Sequence, residues 1–162
     1  MSEGSTTPLN SRALAAISDR IKTPTYARSA MTPSILHFGV GGFHRAHMAS
    51  YTEETLEQGH SDWTIHGVGL TQRDKAMADT MEMQDGLYTL IARGAESEEA
   101  RVVGAITGYS YLPNGTGELC TLVAESDYGI VSLTVTENGY HYTGDDRHLD
   151  LDDPSIAHDV KN

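Results

Sequence analysis

One cysteine in 162 residues leaves no partner for an internal disulfide and excludes a multi-cysteine metal cluster. That residue, Cys120, sits in the apolar helical stretch GELCTLVAES, the setting of an inert, buried packing thiol and not of a nucleophile. No G-x-S-x-G occurs, so the nucleophile turn of a serine hydrolase is missing. No apolar run approaches the roughly 18 residues of a membrane helix. The opening MSEGSTTPLN has neither the basic region nor the apolar stretch of a secretory signal, so a cytoplasmic protein is expected. Basic residues are scarce: eleven Lys and Arg stand against 23 Asp and Glu, a net charge of −12 with no basic run. Nucleic acid is therefore not an expected partner, and neither is a membrane. Eight histidines are present, yet they suggest no metal site. His44 and His47 share a helix face and His37 lies on the strand before them, but the carboxylate or cysteine that would complete a zinc shell does not appear.

What is there is the composition of a soluble globular domain, 38% hydrophobic and 21% charged, long enough for one core and short for a two-domain enzyme. After a Ser/Thr/Gly/Pro-rich start, NSRALAAISDRI reads as a helix capped by Asn10 or Ser11, and Pro24 and Pro33 bracket a linker. Strands and helices then alternate. Strands are expected at 35–39 and 63–70, in GLYTLIAR and ARVVGAITGYSYL, and at 129–136, the most apolar of them. Helices are expected at 43–58, in RDKAMADTMEM and at 116–126. Met77, Met81 and Met83 have spacing suited to core packing, and Tyr109 and Tyr111 alternate along one strand face. Asn138-Gly139 is a strong turn signal.

Alternation of this kind implies βαβ units: an α/β, Rossmann-like fold with a mainly parallel sheet, flanking helices and an incomplete second half. Three segments are expected: an N-terminal helix and linker over 1–33, a partial dinucleotide-binding domain over 34–143, and an acidic tail over 144–162 that opens the next segment. A sheet that stops half-wound exposes a strand edge, so self-association is expected.

SILHFGVGGFHRAHMASY, residues 34 to 51, carries the chemistry. An apolar strand runs into a glycine turn and then a helix, as in the G-x-G-x-x-G that binds pyrophosphate. Gly39 permits the tight turn, Gly41 allows close backbone approach, and Gly42 adds freedom of backbone angle. His44 stands where the third glycine would let helix and strand pack closely, so the helix is expected to stand further off. The phosphate site needs only the first two glycines and free N–H groups, which an acidic protein can supply. Asp74 lies thirty positions after His44, beyond the usual ~20 for an acid that holds the adenosine ribose. A long first helix could absorb the excess. Arg73 beside it is the residue type that accommodates the 2′-phosphate of NADP. Both could instead simply open the next helix.

In order, HFGVGGFHRAH, W-x-I-x-GVGL, QDGLYTL and IVSLTVTENGY resemble the N-terminal domain of the mannitol dehydrogenase family of polyol-specific long-chain dehydrogenases over about residues 33 to 142. The resemblance implies a Rossmann-type domain binding NAD, or NADP because of Arg73. In longer members a mostly helical domain carries the catalytic groups, and the substrate is a polyol, keto-sugar or sugar acid. Gly39, Gly41, Gly42 and Phe43 match the family's pyrophosphate turn, His44, Arg45 and His47 its FHRAH helix start, and Asp74 its ribose-holding acid. Glu137 matches a glutamate near the nicotinamide end and is a candidate for a proton network.

The same resemblance implies a general-base lysine in K-x-x-x-x-N-x-x-H. Lys22 is followed five residues on by Ala27, Lys75 by Thr80, and Lys161 only by Asn162, so no catalytic residue is expected in this chain and the chain alone is expected to be inactive. The rival reading is a non-catalytic nucleotide-binding or degenerate interaction domain.

Overall fold

The computed structural model describes residues 8–60, 62–95, 97–124, 126–135, 140–143 and 148–161. The first helix, α1, is Leu14–Ile17, shorter than the NSRALAAISDRI stretch in which a short helix is expected. Its approach is taken up by a turn in which the Asn10 side chain accepts the Arg12 and Ala13 N–H groups, and Ala13 is the residue that becomes buried.

Ile35, Leu36 and Phe38, with His37 among them, build β1 (Pro33–Phe38), and TIHGVG builds β2 (Thr64–Gly69). Between them lie α2 (Gly42–Ala46) and α3 (Met48–Glu57), where a single helix was expected. The break falls at His47, with φ −117° and ψ −83°. Its ring stacks on Phe43 at 4.4 Å, and its Nδ1 competes with its own N–H for the Phe43 carbonyl, at 3.0 and 3.1 Å. A side chain entering the ladder in this way is a known cause of a kink.

A 3-10 turn, Gln72–Asp74, leads into α4 (Lys75–Met83). Met81 is buried and Met77 packs on the core, but Met83 is 63% exposed: two residues on from Met81, it lies about 200° around the helix, on the opposite face. The chain then forms an antiparallel hairpin of β3 (Tyr88–Arg93) and β4 (Glu98–Val103), separate from the main sheet, before β5 (Ile106–Tyr111). The stretch expected as one strand over ARVVGAITGYSYL thus divides at Gly104. There the Glu53 carboxylate takes the N–H at 2.8 Å and the Arg28 Nε donates to the carbonyl at 2.8 Å.

Helix α5 (Thr116–Ala124) returns the chain to β6 (Ile130–Leu133). Cys120 is exposed on α5, against expectation. Among the described residues α5 contributes no side chain to the buried core cluster, and Val123 is exposed on it as well. A two-stranded ladder of β7 (Tyr142–Thr143) and β8 (His148–Leu149) follows, then α6 (Pro154–Asp159), capped by Asp153.

The main sheet has the order β5-β2-β1-β6, every pair parallel. Winding runs outward from β1 through β2 to β5, then crosses back to place β6 on the other side of β1. That reversal opens a crevice between β1 and β6 at their carboxyl ends, where ligands of such sheets bind. The core lies under β1, β2 and β5, with Leu36, Ile65, Val68, Leu56 and Ile106 almost wholly buried. β6 is different. Ile130, Val131 and Leu133, with Val135 just beyond them, are 42–62% exposed, and among the described residues β1 is the one strand paired with it.

The linker after α1 is clamped, not loose. The Tyr26 hydroxyl donates to Glu53 Oε2 at 2.6 Å, and Thr25 donates its N–H and hydroxyl to Glu57 at 2.9 and 2.7 Å. Arg28 donates to the carbonyls of Gly104, Asp85 and Ile106. Burial pushes the Glu53 carboxyl above its ordinary range, although the Tyr26 and Gly104 bonds pull it back.

Candidate cofactor-binding site

β1 delivers Gly39 to the mouth of the crevice. Its φ of +83° is open to glycine at little cost and strained for any other residue, and its N–H donates to Val68 O at 2.9 Å. Gly41 N–H folds back on Gly39 O at 2.8 Å, and Gly41 then caps α2. A Cβ built on Gly39, Gly41 or Gly42 would meet nothing within 4 Å. These glycines face open space, so a ligand can approach the backbone closely. The first turn of α2 leaves its N–H groups without intrahelical acceptors, a ready anion-binding edge. Phe43 stands 66% exposed beside it. The Arg45 guanidinium lies 5.8 Å from the Tyr88 ring centroid, and the Tyr88 hydroxyl donates to Arg45 O at 2.6 Å.

His44 occupies the third-glycine place in an unforeseen way. Its ring is 1% exposed and lies flat on that of His37, centroids 3.8 Å apart and planes 14° off parallel. The gap that a missing glycine leaves between α2 and β1 is thereby filled by two imidazoles. His37 has partners: its Nδ1 is 2.9 Å from Ser132 Oγ and its Nε2 3.2 Å from Thr134 Oγ1, both at the β6 edge. Neither nitrogen of His44 has one among the described residues. Burial first, then the neighbouring His37 and Arg45, push the His44 pKa down to about 3, so the ring is neutral at physiological pH. Burial lowers His37 as well.

The second lobe forms where β2 ends. Asp74 Oδ2 accepts from Leu70 N–H at 3.1 Å, Thr71 N–H at 2.9 Å and Thr71 Oγ at 2.9 Å, so the carboxylate braces the turn that follows the strand. Arg73 is exposed next to it. Gly67 and Gly69 of β2 have a packing reason. A Cβ on Gly67 would run into Val40 and the Tyr109 ring, and one on Gly69 into the Tyr109 hydroxyl and Asp74. The Tyr109 hydroxyl is buried beside Asp74 without a partner among the described residues, and burial followed by that negative charge pushes its pKa up to about 12.

This arrangement has counterparts. Residues 33–161 match a family model described as the mannitol dehydrogenase Rossmann domain. The chain belongs to the mannitol dehydrogenase family. It is 45% identical over 158 residues to a mannitol 2-dehydrogenase of Aspergillus terreus, covering 94% of this chain and 32% of the relative. It is 40% identical over 161 residues to mannitol dehydrogenase 2 of Saccharomyces cerevisiae, covering 99% and 32%. Among solved structures, Pseudomonas fluorescens mannitol 2-dehydrogenase, in a ternary complex with NAD and D-mannitol, superposes with a TM-score of 0.81 at 36% identity, over 95% of this chain and 32% of that one. A D-sorbitol dehydrogenase in substrate-free form gives 0.77 at 34% identity, with the same coverage. The chain therefore spans about a third of the length of these mannitol dehydrogenase relatives.

Gly39, Gly41, Gly42, Phe43, His44 and Arg45 are thus gathered on one loop and helix start, while Arg73 and Asp74 sit on the turn after the neighbouring strand. Glu137 and Asn138-Gly139 lie outside the described residues. Among those described, no three His, Cys, Asp or Glu side chains come together as a metal site, and no helix is long and apolar enough to cross a membrane. Reading the sequence missed the hydroxyls of Ser132 and Thr134, since nothing in IVSLTVT marks which positions face a histidine 95 and 97 residues away. It also missed Tyr109 as a neighbour of Asp74.

Proposed function

We propose that this chain binds a nicotinamide dinucleotide, NAD by preference, as the cofactor-holding part of an oxidoreductase acting on a polyol, keto-sugar or sugar acid. The observation that carries this reading is the open glycine cradle at the crevice mouth, with Gly39 at φ +83° and three glycine faces clear of other atoms. Those faces fit a pyrophosphate. Backbone N–H groups of the α2 start hold its oxygens, and Gly41 allows the approach. At the other lobe Asp74 Oδ2 is engaged by three donors, which pins the side chain and leaves Oδ1 to accept a ribose hydroxyl. A fixed carboxylate there repels a 2′-phosphate, which is why NAD is preferred; Arg73 is the group that would reverse the preference.

The cofactor supplies the hydride chemistry when bound. This chain's residues bind and orient it along the β1–β6 crevice. The family's base pattern fits none of Lys22, Lys75 and Lys161, so substrate deprotonation belongs to groups outside these 162 residues. That same observation favours the second reading, nucleotide binding without catalysis. Titration calorimetry with NADH and NADPH tests the proposal: NADH binds and NADPH binds more weakly. Folded protein that binds neither refutes it. The absence of turnover with mannitol, fructose or fructuronate after addition of the remaining two-thirds of a relative supports the second reading.

A further inference from the structure

Among the described side chains of the α2–β1 interface, the two ring nitrogens of His44 are the polar atoms left buried and unpaired. No hydrogen bond therefore sets the orientation of this ring. What sets it is the face-to-face contact with His37, at 3.8 Å and 14°. His37 in turn is oriented from both ends, by Ser132 Oγ at 2.9 Å and Thr134 Oγ1 at 3.2 Å. Ser132 belongs to β6 and Thr134 follows it directly, on the far lip of the crevice, whereas His44 belongs to the helix that opens from the glycine turn. The backbone contacts reinforce the geometry, since His37 and Ser132 are register partners across the parallel β1–β6 ladder.

We propose that His37, Ser132 and Thr134 are positioning residues for cofactor binding, forming with His44 a strut that fixes the glycine loop against the edge strand β6. The inference rests on the reading that the loop holds a dinucleotide, and it adds how the loop is held. A strand with one partner among the described residues, and with exposed apolar side chains on both faces, is a weak wall for a crevice. Two hydroxyls gripping one imidazole, and that imidazole gripping a second by stacking, transmit the position of that wall to the turn. The stack also explains how a histidine replaces glycine: the ring does not lie idle between helix and strand but carries the helix on it.

The test removes the hydroxyls and leaves the loop untouched. In the double variant Ser132→Ala, Thr134→Val, calorimetric NADH affinity should fall about tenfold, the scale of one to two lost hydrogen bonds. The swap Ser132→Thr, Thr134→Ser keeps both hydroxyls and should restore it. The ring 15N shifts of His44, which the substitutions do not touch, should move in the double variant and return in the swap. If the double variant fails to fold, Thr134→Val alone is used, with a loss of about threefold expected. A purely structural role would lower the melting temperature while the folded protein kept its NADH affinity, and that result overturns the proposal alone. Wild-type protein that binds neither NADH nor NADPH overturns the proposal and the cofactor reading together.

Discussion

Gly39→Ala and Gly41→Ala separate backbone strain from ligand approach, because the two glycines lie in the same open cradle and differ in the sign of φ. Neither Cβ would touch another atom within 4 Å, so packing contributes nothing in either case. Gly39 has φ +83°, where a Cβ clashes with its own backbone at a cost of about 1–2 kcal/mol. For a chain of this size that lowers the melting temperature by about 2–8 °C. Gly41 has φ −81° and ψ −177°, which alanine adopts freely. Alanine is the poorer cap by about 0.5–1 kcal/mol. It also restricts the unfolded chain, which recovers about 0.4–1 kcal/mol, so the net change is near zero. The new methyl nevertheless stands in the cradle where a pyrophosphate would lie. Gly41→Ala should therefore melt within about 2 °C of wild type and bind NADH at least tenfold more weakly, a loss of about 1.4 kcal/mol. Thermal denaturation and calorimetry on the same preparations decide it. A Gly41→Ala protein that binds NADH as wild type does refutes the placement of the pyrophosphate, and an unaltered melt for Gly39→Ala refutes the strain argument.

Stability should fall as pH drops from about 6.5 toward 4. The folded-state pKa of His44 is held at about 3, far below the 6.5 of the unfolded chain, so its contribution is complete above 6.5 and is lost as the solution becomes more acidic. His44→Phe should flatten urea-derived stability in that window by about 1.4 kcal/mol per pH unit, and an unchanged slope would count against the buried neutral ring. Glu53 works in the opposite sense. Its raised pKa favours the protonated folded state and weakens stability as pH climbs past 4.5, so Glu53→Gln should reduce that loss in the same urea series. Leu133, 62% exposed on the edge strand, gives a third case: the wild type should self-associate at high concentration in light scattering, and Leu133→Lys should reduce this. A wild type that stays monomeric throughout removes the premise. Tyr109→Phe deletes a buried hydroxyl that has no partner, so the melt should hold or rise; a fall of several degrees would show a partner that binds that oxygen.

Much of the candidate site was legible because it is local. Gly39 through Arg45 are consecutive, and a glycine turn between an apolar strand and a helix has one well-known geometry whatever surrounds it. Asp74 was legible as the first acid after the second strand, though not that its Oδ2 would be engaged by its own turn, which depends on the 3-10 geometry at 72–74. Cys120 was misjudged because periodicity says which side of a helix is apolar, but not whether anything arrives to cover it, and among the described residues nothing covers Cys120. Met83 was misjudged for a different reason: it stands two residues from Met81, on the opposite face of α4. The kink at His47 escaped because a ring competing for a carbonyl leaves no mark in residue spacing.

By itself, then, the sequence determined the alternating strand–helix order, the glycine turn, the acidic residue on the next turn and the absence of the family's lysine pattern. All of these depend on residues near one another in the chain. Tertiary structure decided what stands across a gap. It placed β6 beside β1 and set the His37–His44 stack under the loop. It brought the Ser132 and Thr134 hydroxyls to His37, and closed the N-terminal linker on Glu53 and Gly104. Each of those contacts joins residues separated by many positions. Which partner meets which is therefore set by sheet order and register, and local preference carries no information about either.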